Sequence, residues 1–266
     1  PILAAAKAGA TFNGANPGTA TDNDTFTFAP FASVPIVVNG FNPTSGSGDV
    51  LNLDLSGATG TTLTIDGVND GTYTFTNRAS VEYNSIEVVN AVAGAYDLVL
   101  NMAGFGTPGD FTIRRNTPFL GSNLEIVNNT TGAIPFAGAI SFIASLTVLG
   151  TSGNDRLVID DVNGMVSFDP LLTPATTFPD NPNGAGAPRL FFDAGAGVDT
   201  LRFNLTEAGA AQTYNIGTGS GPGAGDGEVS TTNTAGRNLV TYFTGLGNDG
   251  SSVVRSGSGA GAFTVS

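Results

Sequence analysis

Acidic residues set in Gly-rich corners are the groups of this chain best placed to do chemistry. Two are clearest: Asp155 in Gly150-Thr-Ser-Gly-Asn-Asp155-Arg-Leu157-Val-Ile159, and Asp199 in Ala194-Gly-Ala-Gly-Val-Asp199-Thr-Leu201-Arg-Phe203. Asp24, Asp49 and Asp110 repeat the phrase more loosely, in Asn23-Asp24-Thr-Phe26-Thr-Phe28, Gly48-Asp49-Val-Leu51-Asn-Leu53-Asp-Leu55 and Gly109-Asp110-Phe-Thr-Ile113. A carboxylate in such a corner has two uses. It can ligate a hard divalent cation together with turn carbonyls, or accept nearby backbone N–H groups and fix the turn itself. Asp160-Asp161 with Arg156, or Glu82 with Glu87, are the residue types of carboxylate catalysis on sugars. That work needs a cleft that separates two pKa values. The chain has no Trp to stack on a sugar and only five Tyr, so catalysis is not expected.

Other chemistry is excluded by what is missing. Cysteine and histidine are absent, which removes disulfides, thiolate sites, Cys nucleophiles, His bases and His-bound metals. The net charge is −13, with one lysine (Lys7) among nine basic residues. Nucleic-acid phosphates would be repelled by such a surface, whereas divalent cations would not. No apolar run reaches the length needed to cross a bilayer, so no membrane insertion is expected.

The elements that must position these carboxylates read as strands. Charged residues are 12 % of the chain, about half the roughly 25 % of ordinary soluble domains. Thirty-eight Gly and fourteen Pro favour short strands joined by tight turns. Alternation recurs in Thr61–Ile65, Thr72–Thr76, Asp97–Met102, Leu124–Val127 and Ala262–Ser266, each bounded by Gly, Asn, Asp or Pro. Leu51, Leu53 and Leu55 share one face of such a strand, and Asn52 and Asp54 the other. The one helix-friendly stretch, Ala4–Ala10, is too short to stand alone.

A longer order lies above the strands. Val81-Glu-Tyr83-Asn-Ser-Ile86-Glu has a counterpart in Val240-Thr-Tyr242-Phe-Thr-Gly-Leu246, and Thr72-Tyr73 one in Thr213-Tyr214. The expected division is an extension at 1–17, a first β-unit at 18–90, connecting strands at 91–148, a second unit at 149–247, and a further repeat or assembly strand at 248–266. Leu171–Pro188 and Gly217–Gly227 read as insertions. The final strand shows no stop, so continuing chain or a neighbouring subunit is expected to pair with it. The fold expected is all-β: a β-solenoid, parallel β-helix or β-roll, of about 25 residues per turn with turns about 4.8 Å apart. Tandem antiparallel β-sandwich domains are the alternative, disfavoured because hairpin signals are sparse.

The Asp155 phrase resembles the repeats-in-toxin nonapeptide G-G-x-G-x-D-x-U-x, departing at Thr151; the Asp199 phrase departs at Ala194. The wider order of phrases is similar to repeat regions of large secreted surface proteins of planctomycete-type bacteria. The toxin-repeat resemblance implies a parallel β-roll with Ca²⁺ held by Asp carboxylates and turn carbonyls, which makes Asp155, Asp199, Asp24, Asp49 and Asp110 candidate calcium ligands. Toxin repeats stand in tandem, however, whereas these phrases lie far apart in sequence. Calcium needs six to eight oxygens, and a lone Asp supplies few, which favours the turn-fixing use.

The function expected from this reading is that of a non-enzymatic, extracellular or cell-surface structural protein of bacterial origin: a stacked-β segment of a surface layer, fibre or adhesive stalk that associates with identical subunits. Two alternatives accompany it. One is a calcium-dependent adhesin or glycan-binding module, the other a carbohydrate-active β-helix enzyme.

Overall fold

The computed structural model describes residues 9–14, 23–41, 48–117, 123–163, 166, 190–204, 212–217, 227–233, 238–244, 246, 252–256 and 261–265. At 212–217, 227–233, 238–242, 252–256 and 261–265 it describes the backbone alone. The described chain is all-β, with two short 3₁₀ turns at Met102–Phe105 and Ile140–Phe142 and no α-helix. Its strands are β1 (Ala10–Asn13), β2 (Thr25–Phe28), β3 (Ile36–Asn39), β4 (Val50–Asp54), β5 (Thr62–Gly67), β6 (Asp70–Thr74), β7 (Val81–Asn84), β8 (Val88–Ala93), β9 (Tyr96–Asn101) and β10 (Asp110–Arg115). There follow β11 (Asn123–Asn128), β12 (Phe136–Ala139), β13 (Ile143–Thr151), β14 (Arg156–Asp160), β15 (Leu190–Gly195), β16 (Thr200–Asn204), β17 (Gln212–Gly217), β18 (Gly227–Asn233), β19 (Asn238–Thr244), β20 (Ser252–Ser256) and β21 (Gly261–Val265). Every strand read from the alternation is present, with ends shifted by a residue or two.

Three sheets hold them. A twelve-stranded sheet runs β1-β3-β7-β6-β5-β9-β13-β15-β19-β18-β17-β21; a six-stranded sheet runs β12-β11-β10-β14-β16-β20; a third joins β2, β4 and β8. The chain passes back and forth between the large sheet and a smaller one: β1 to β2, β3 to β4, β7 to β8, β9 to β10, β13 to β14, β15 to β16, β19 to β20. Strands reached by this alternation pair in parallel with the previous strand on the same side. Antiparallel pairs are confined to three excursions, β5-β6-β7, β10-β11-β12 and β17-β18-β19. In the first and third, the chain runs past its next position, folds back, and fills the gap; in the second it folds back and leaves β12 as the edge of the six-stranded sheet. The large sheet takes strands from all five segments of the expected division, so it runs through those boundaries.

The facing sheets share one core, because strand register lines like residues up behind one another. One inward row of the large sheet runs Ile36, Val81, Tyr73, Leu63, Leu98, Leu146, Leu190, and a second Val38, Tyr83, Gly71, Ile65, Leu100, Val148, Phe192, Phe243. Opposite them lie Leu51 and Leu53 of β4, and Phe111/Ile113, Leu157/Ile159 and Leu201/Phe203 of β10, β14 and β16. Leu51, Leu53 and Leu55 are buried as the alternation requires. Gly71 interrupts its row for a steric reason: a Cβ there would sit 2.5 Å from Tyr83 Oη.

Two sequence correspondences resolve differently in space. Tyr83 and Tyr242 fall on β7 and β19, each the last strand of an excursion, but one residue out of phase. Tyr83 is buried, whereas Tyr242 pairs in register with Phe191, and its neighbour Phe243, which pairs with Phe192, is buried. A one-residue offset exchanges the faces of a strand. Tyr73 and Tyr214 lie in the second and first strands of their excursions and do not correspond. The proposed insertion Leu171–Pro188, the interior of Gly217–Gly227 and the stretch Ala4–Ala8 lie outside the described residues.

Candidate functional site

The acidic corners meet in space although they are far apart in sequence. Asp24 donates its backbone N–H to Asp49 Oδ1 at 2.7 Å, across 25 residues. Asp49 donates its own N–H to Glu87 Oε2 at 2.6 Å, across 38. Gly109 N–H meets Asp155 Oδ1 at 2.6 Å, across 46, and Asp155 N–H meets Asp199 Oδ1 at 2.7 Å, across 44. The backbone returns each contact. Val50 N–H reaches Asp24 O at 2.8 Å, Val88 N–H reaches Asp49 O at 3.0 Å, and Arg156 and Thr200 N–H reach Gly109 O and Asp155 O, both at 2.8 Å. Each corner thus gives an N–H to the carboxylate that follows in the stack and takes an N–H from the residue beyond it. The sequence distance varies because a link can span a hairpin or a long loop without changing the stack.

Burial strengthens these links. Asp49, Asp155 and Asp199 are buried, at 0, 1 and 0 % exposure. Hydrogen bonds from N–H groups to a carboxylate are charge-assisted, and removing one partner inside the protein strands the other. Asp155 is the most fully engaged. Its Oδ1 accepts from Gly109 N–H and from Thr151 Oγ1 at 2.8 Å, and its Oδ2 accepts from Thr151 N–H. Asn154 adds a further link, its Oδ1 accepting Val198 N–H at 2.9 Å. Glycines let the corners close on one another. A Cβ at Gly40 or Gly150 would collide with the Oδ2 of Asp49 or Asp155. One at Gly195 or Gly197, both at positive φ, would lie well inside contact of Thr151 O or Gly153 O. The two toxin-repeat-like turns, 44 residues apart, therefore stack directly on each other.

One candidate stands elsewhere, and one member of the column was not among the corner phrases. Asp110 is the first residue of β10 on its outer face, where its Oδ1 accepts from Arg156 Nε at 2.9 Å and Asn129 Nδ2 at 2.6 Å. The corner position before it belongs to Gly109. Glu87 does occupy a corner, reaching across Gly48, whose missing Cβ leaves room for it; its Oε1 also accepts from Asn69 Nδ2. The signal was available in the spacing. A corner residue stands two places before the first inward apolar side chain: Asp24–Phe26, Asp49–Leu51, Glu87–Val89, Gly109–Phe111, Asp155–Leu157 and Asp199–Leu201. Asp110 stands one place before Phe111, which puts it on the opposite face.

The catalytic candidates are dispersed. Glu82 is exposed on the outer face of β7, whereas Glu87 is at a corner. Asp160 accepts Val162 N–H at 3.0 Å and turns the chain after β14; Asp161 beside it is buried. Arg114 pairs with Glu125 at 2.9 Å. Outside the corners, amides make their own ladders: Asn39 Nδ2 donates to Asn13 and Asn84 Nδ2 to Asn39, while Asn52 donates to Thr27 and Asn90 to Asn52.

Three tyrosines pack in the core beside the β5–β6 hairpin. Burial raises the pKa of Tyr73, Tyr83 and Tyr96 above the ordinary phenol value; neighbouring Tyr96 adds to the rise at Tyr73 and Tyr83. Tyr73 Oη is buried without a hydrogen-bond partner.

At Asp155 the calcium ligation implied by the sequence resemblance competes with hydrogen-bond donors already in place. The oxygens of Asp155 face three hydrogen-bond donors, whose positive hydrogens occupy directions a cation would need. The chain matches no protein-family model, and no curated protein or solved structure is significantly similar to it.

Proposed function

We propose that this chain is a length of β-solenoid serving as a non-enzymatic, extracellular structural element, a segment of a surface layer, fibre or stalk that associates end to end. The observation that carries this reading is the corner link, repeated four times with the same backbone donor, the same direction and nearly the same length. A repeated link between successive stacked strands is what a one-dimensional architecture needs, since each unit touches only its neighbours. The continuous inward rows and the parallel register support the same reading. So do the outward amide ladders, which bind successive strands where no core can.

The mechanism is mechanical. Shearing one layer past the next must break backbone ladder bonds and carboxylate links together, so the stack resists in proportion to its width. The edge strands of the large sheet, β1 and β21, each run parallel to their neighbour. Following the pairings across the sheet, they also run parallel to each other. A second copy laid edge to edge therefore continues the sheet with unchanged polarity, a head-to-tail contact that grows open-ended. The extracellular assignment rests on composition: no cysteine, a single lysine, strong acidity and abundant Gly.

Negative-stain electron microscopy and light scattering of the purified chain at micromolar concentration test the assembly. Rods that lengthen with concentration are expected. Compact particles of monomer mass at every concentration would refute it.

A further inference from the structure

We infer that the stacked corners hold without calcium, the peptide N–H groups of one layer taking the place that toxin-type repeats give to an ion. Three independent observations lead there. The first is the donor set. A carboxylate offers about four lone-pair sites, and at Asp155 three receive protons, from Gly109 N–H, Thr151 N–H and Thr151 Oγ1. A Ca²⁺ ion at 2.3–2.6 Å would have to displace them and gather six to eight oxygens.

The second is the spacing of the turns. Gly150 abuts Ala194 O, Gly195 abuts Thr151 O and Gly197 abuts Gly153 O. Thr151 O, which could otherwise turn toward an ion, accepts Ala196 N–H at 3.1 Å. The layers are in contact where a bridging ion and its ligands would have to lie.

The third is the membership of the column. Its corner positions hold Asp24, Asp49 and Glu87 in one stretch, and Gly109, Asp155 and Asp199 in the other. An ion-bridged array draws its charge from carboxylates at the corners. A hydrogen-bond ladder requires of its first member only an N–H, and Gly109 supplies that alone. It also tolerates the longer arm of Glu87, because the arm has only to find one N–H. The residue types satisfy what the ladder needs at each corner.

Folding is therefore not linked to divalent-ion concentration, since nothing at the corners binds the native state selectively. The inference does not depend on whether the chain assembles. It is tested by urea unfolding of the full chain in EDTA and in millimolar calcium, with terbium luminescence as a direct probe of ion binding. The expected result is coincident midpoints, a folding constant changed less than twofold, and no saturable terbium signal that Asp155→Asn, Asp199→Asn or Asp49→Asn removes. A corner site filled at a hundred times its dissociation constant would instead raise the folding constant about 100-fold. Such a rise, abolished in Asp155→Asn and Asp199→Asn or in Asp49→Asn, overturns the inference; a rise that all three variants retain places the ion elsewhere and leaves the corners metal-free. Should none of the variants fold, equilibrium dialysis of the wild-type chain against calcium decides. Less than one ion per chain agrees with the ladder, and one or more refutes it.

Discussion

Replacing Asp155 by alanine should cost far more stability than replacing Asp110, although the two aspartates sit in similar phrases. Asp155 is 1 % exposed, and its loss strands the N–H groups of Gly109 and Thr151 together with the Thr151 hydroxyl. A buried donor left without a partner costs about 1–3 kcal/mol. The hydroxyl can rotate toward another acceptor, so two N–H groups and the lost corner geometry set the scale, about 3–5 kcal/mol. At roughly 2–4 °C per kcal/mol for a chain of this size, the melting temperature should fall by about 6–20 °C. Asp155→Asn keeps the shape and loses less. Its amide oxygen serves Gly109 and Thr151 Oγ1 while its nitrogen faces the Thr151 N–H, so one bond is lost, at about 1–3 kcal/mol. Asp110→Ala removes an outward ion pair with Arg156, worth about 0–1 kcal/mol. Equilibrium urea unfolding followed by circular dichroism measures all three. The reasoning fails if Asp155→Ala is no more destabilised than Asp110→Ala.

Other outcomes follow from the same geometry. Glu87→Ala should destabilise by roughly 1 kcal/mol, less than the buried links because water can reach its side of the corner, and Glu87→Asp should not rescue it because the shorter arm falls short of Asp49 N–H; urea midpoints of the two variants check this. Gly195→Ala should destabilise by more than about 2 kcal/mol, combining a positive φ with a collision against Thr151 O. Gly132→Ala, at a similar positive φ in open space, should carry only the backbone cost of about 1 kcal/mol, so the difference between the two variants in thermal melts isolates the stacking contact. Stability should fall as pH rises above about 10. The unfolded chain releases its phenol protons there, while Tyr73, Tyr83 and Tyr96 hold theirs in the native core. In an absorbance titration these three should ionise only with unfolding; free titration of all five tyrosines near pH 10 would contradict it.

Much of the fold was written in the alternation. Val, Leu, Ile and Phe at every second position dictate which face turns inward, and Gly, Asn and Asp mark where each strand must stop, so strands and core residues such as Leu51, Leu53, Leu157 and Leu201 follow directly. The excursions were not legible. The β5–β6 hairpin turns at Val68-Asn69 with Asn69 at positive φ, a weaker signal than Asn-Gly, and β10-β11 and β11-β12 are joined through longer loops. Nothing local distinguishes a strand that returns beside its predecessor from one that crosses to the facing sheet. That choice depends on which neighbour still has an open edge when the chain arrives.

The corner column shows why spacing counted along the chain misleads about a stacked structure. Links of 25, 38, 46 and 44 residues look irregular beside tandem toxin repeats, yet each joins neighbours at nearly one distance. What stays constant is phase, not interval. The corner residue is always two places before an inward apolar side chain, because the strand that follows must begin with its first side chain outward and its second in the core. That rule admits Glu87 and Gly109 and rejects Asp110 without reference to any motif. Residue type then decides the strength of each link rather than its existence: the N–H is always there to give, and a carboxylate in the next layer makes the bond charge-assisted. A column built on phase can lengthen its loops, exchange Asp for Glu, or begin on a glycine, and still keep its layers in register.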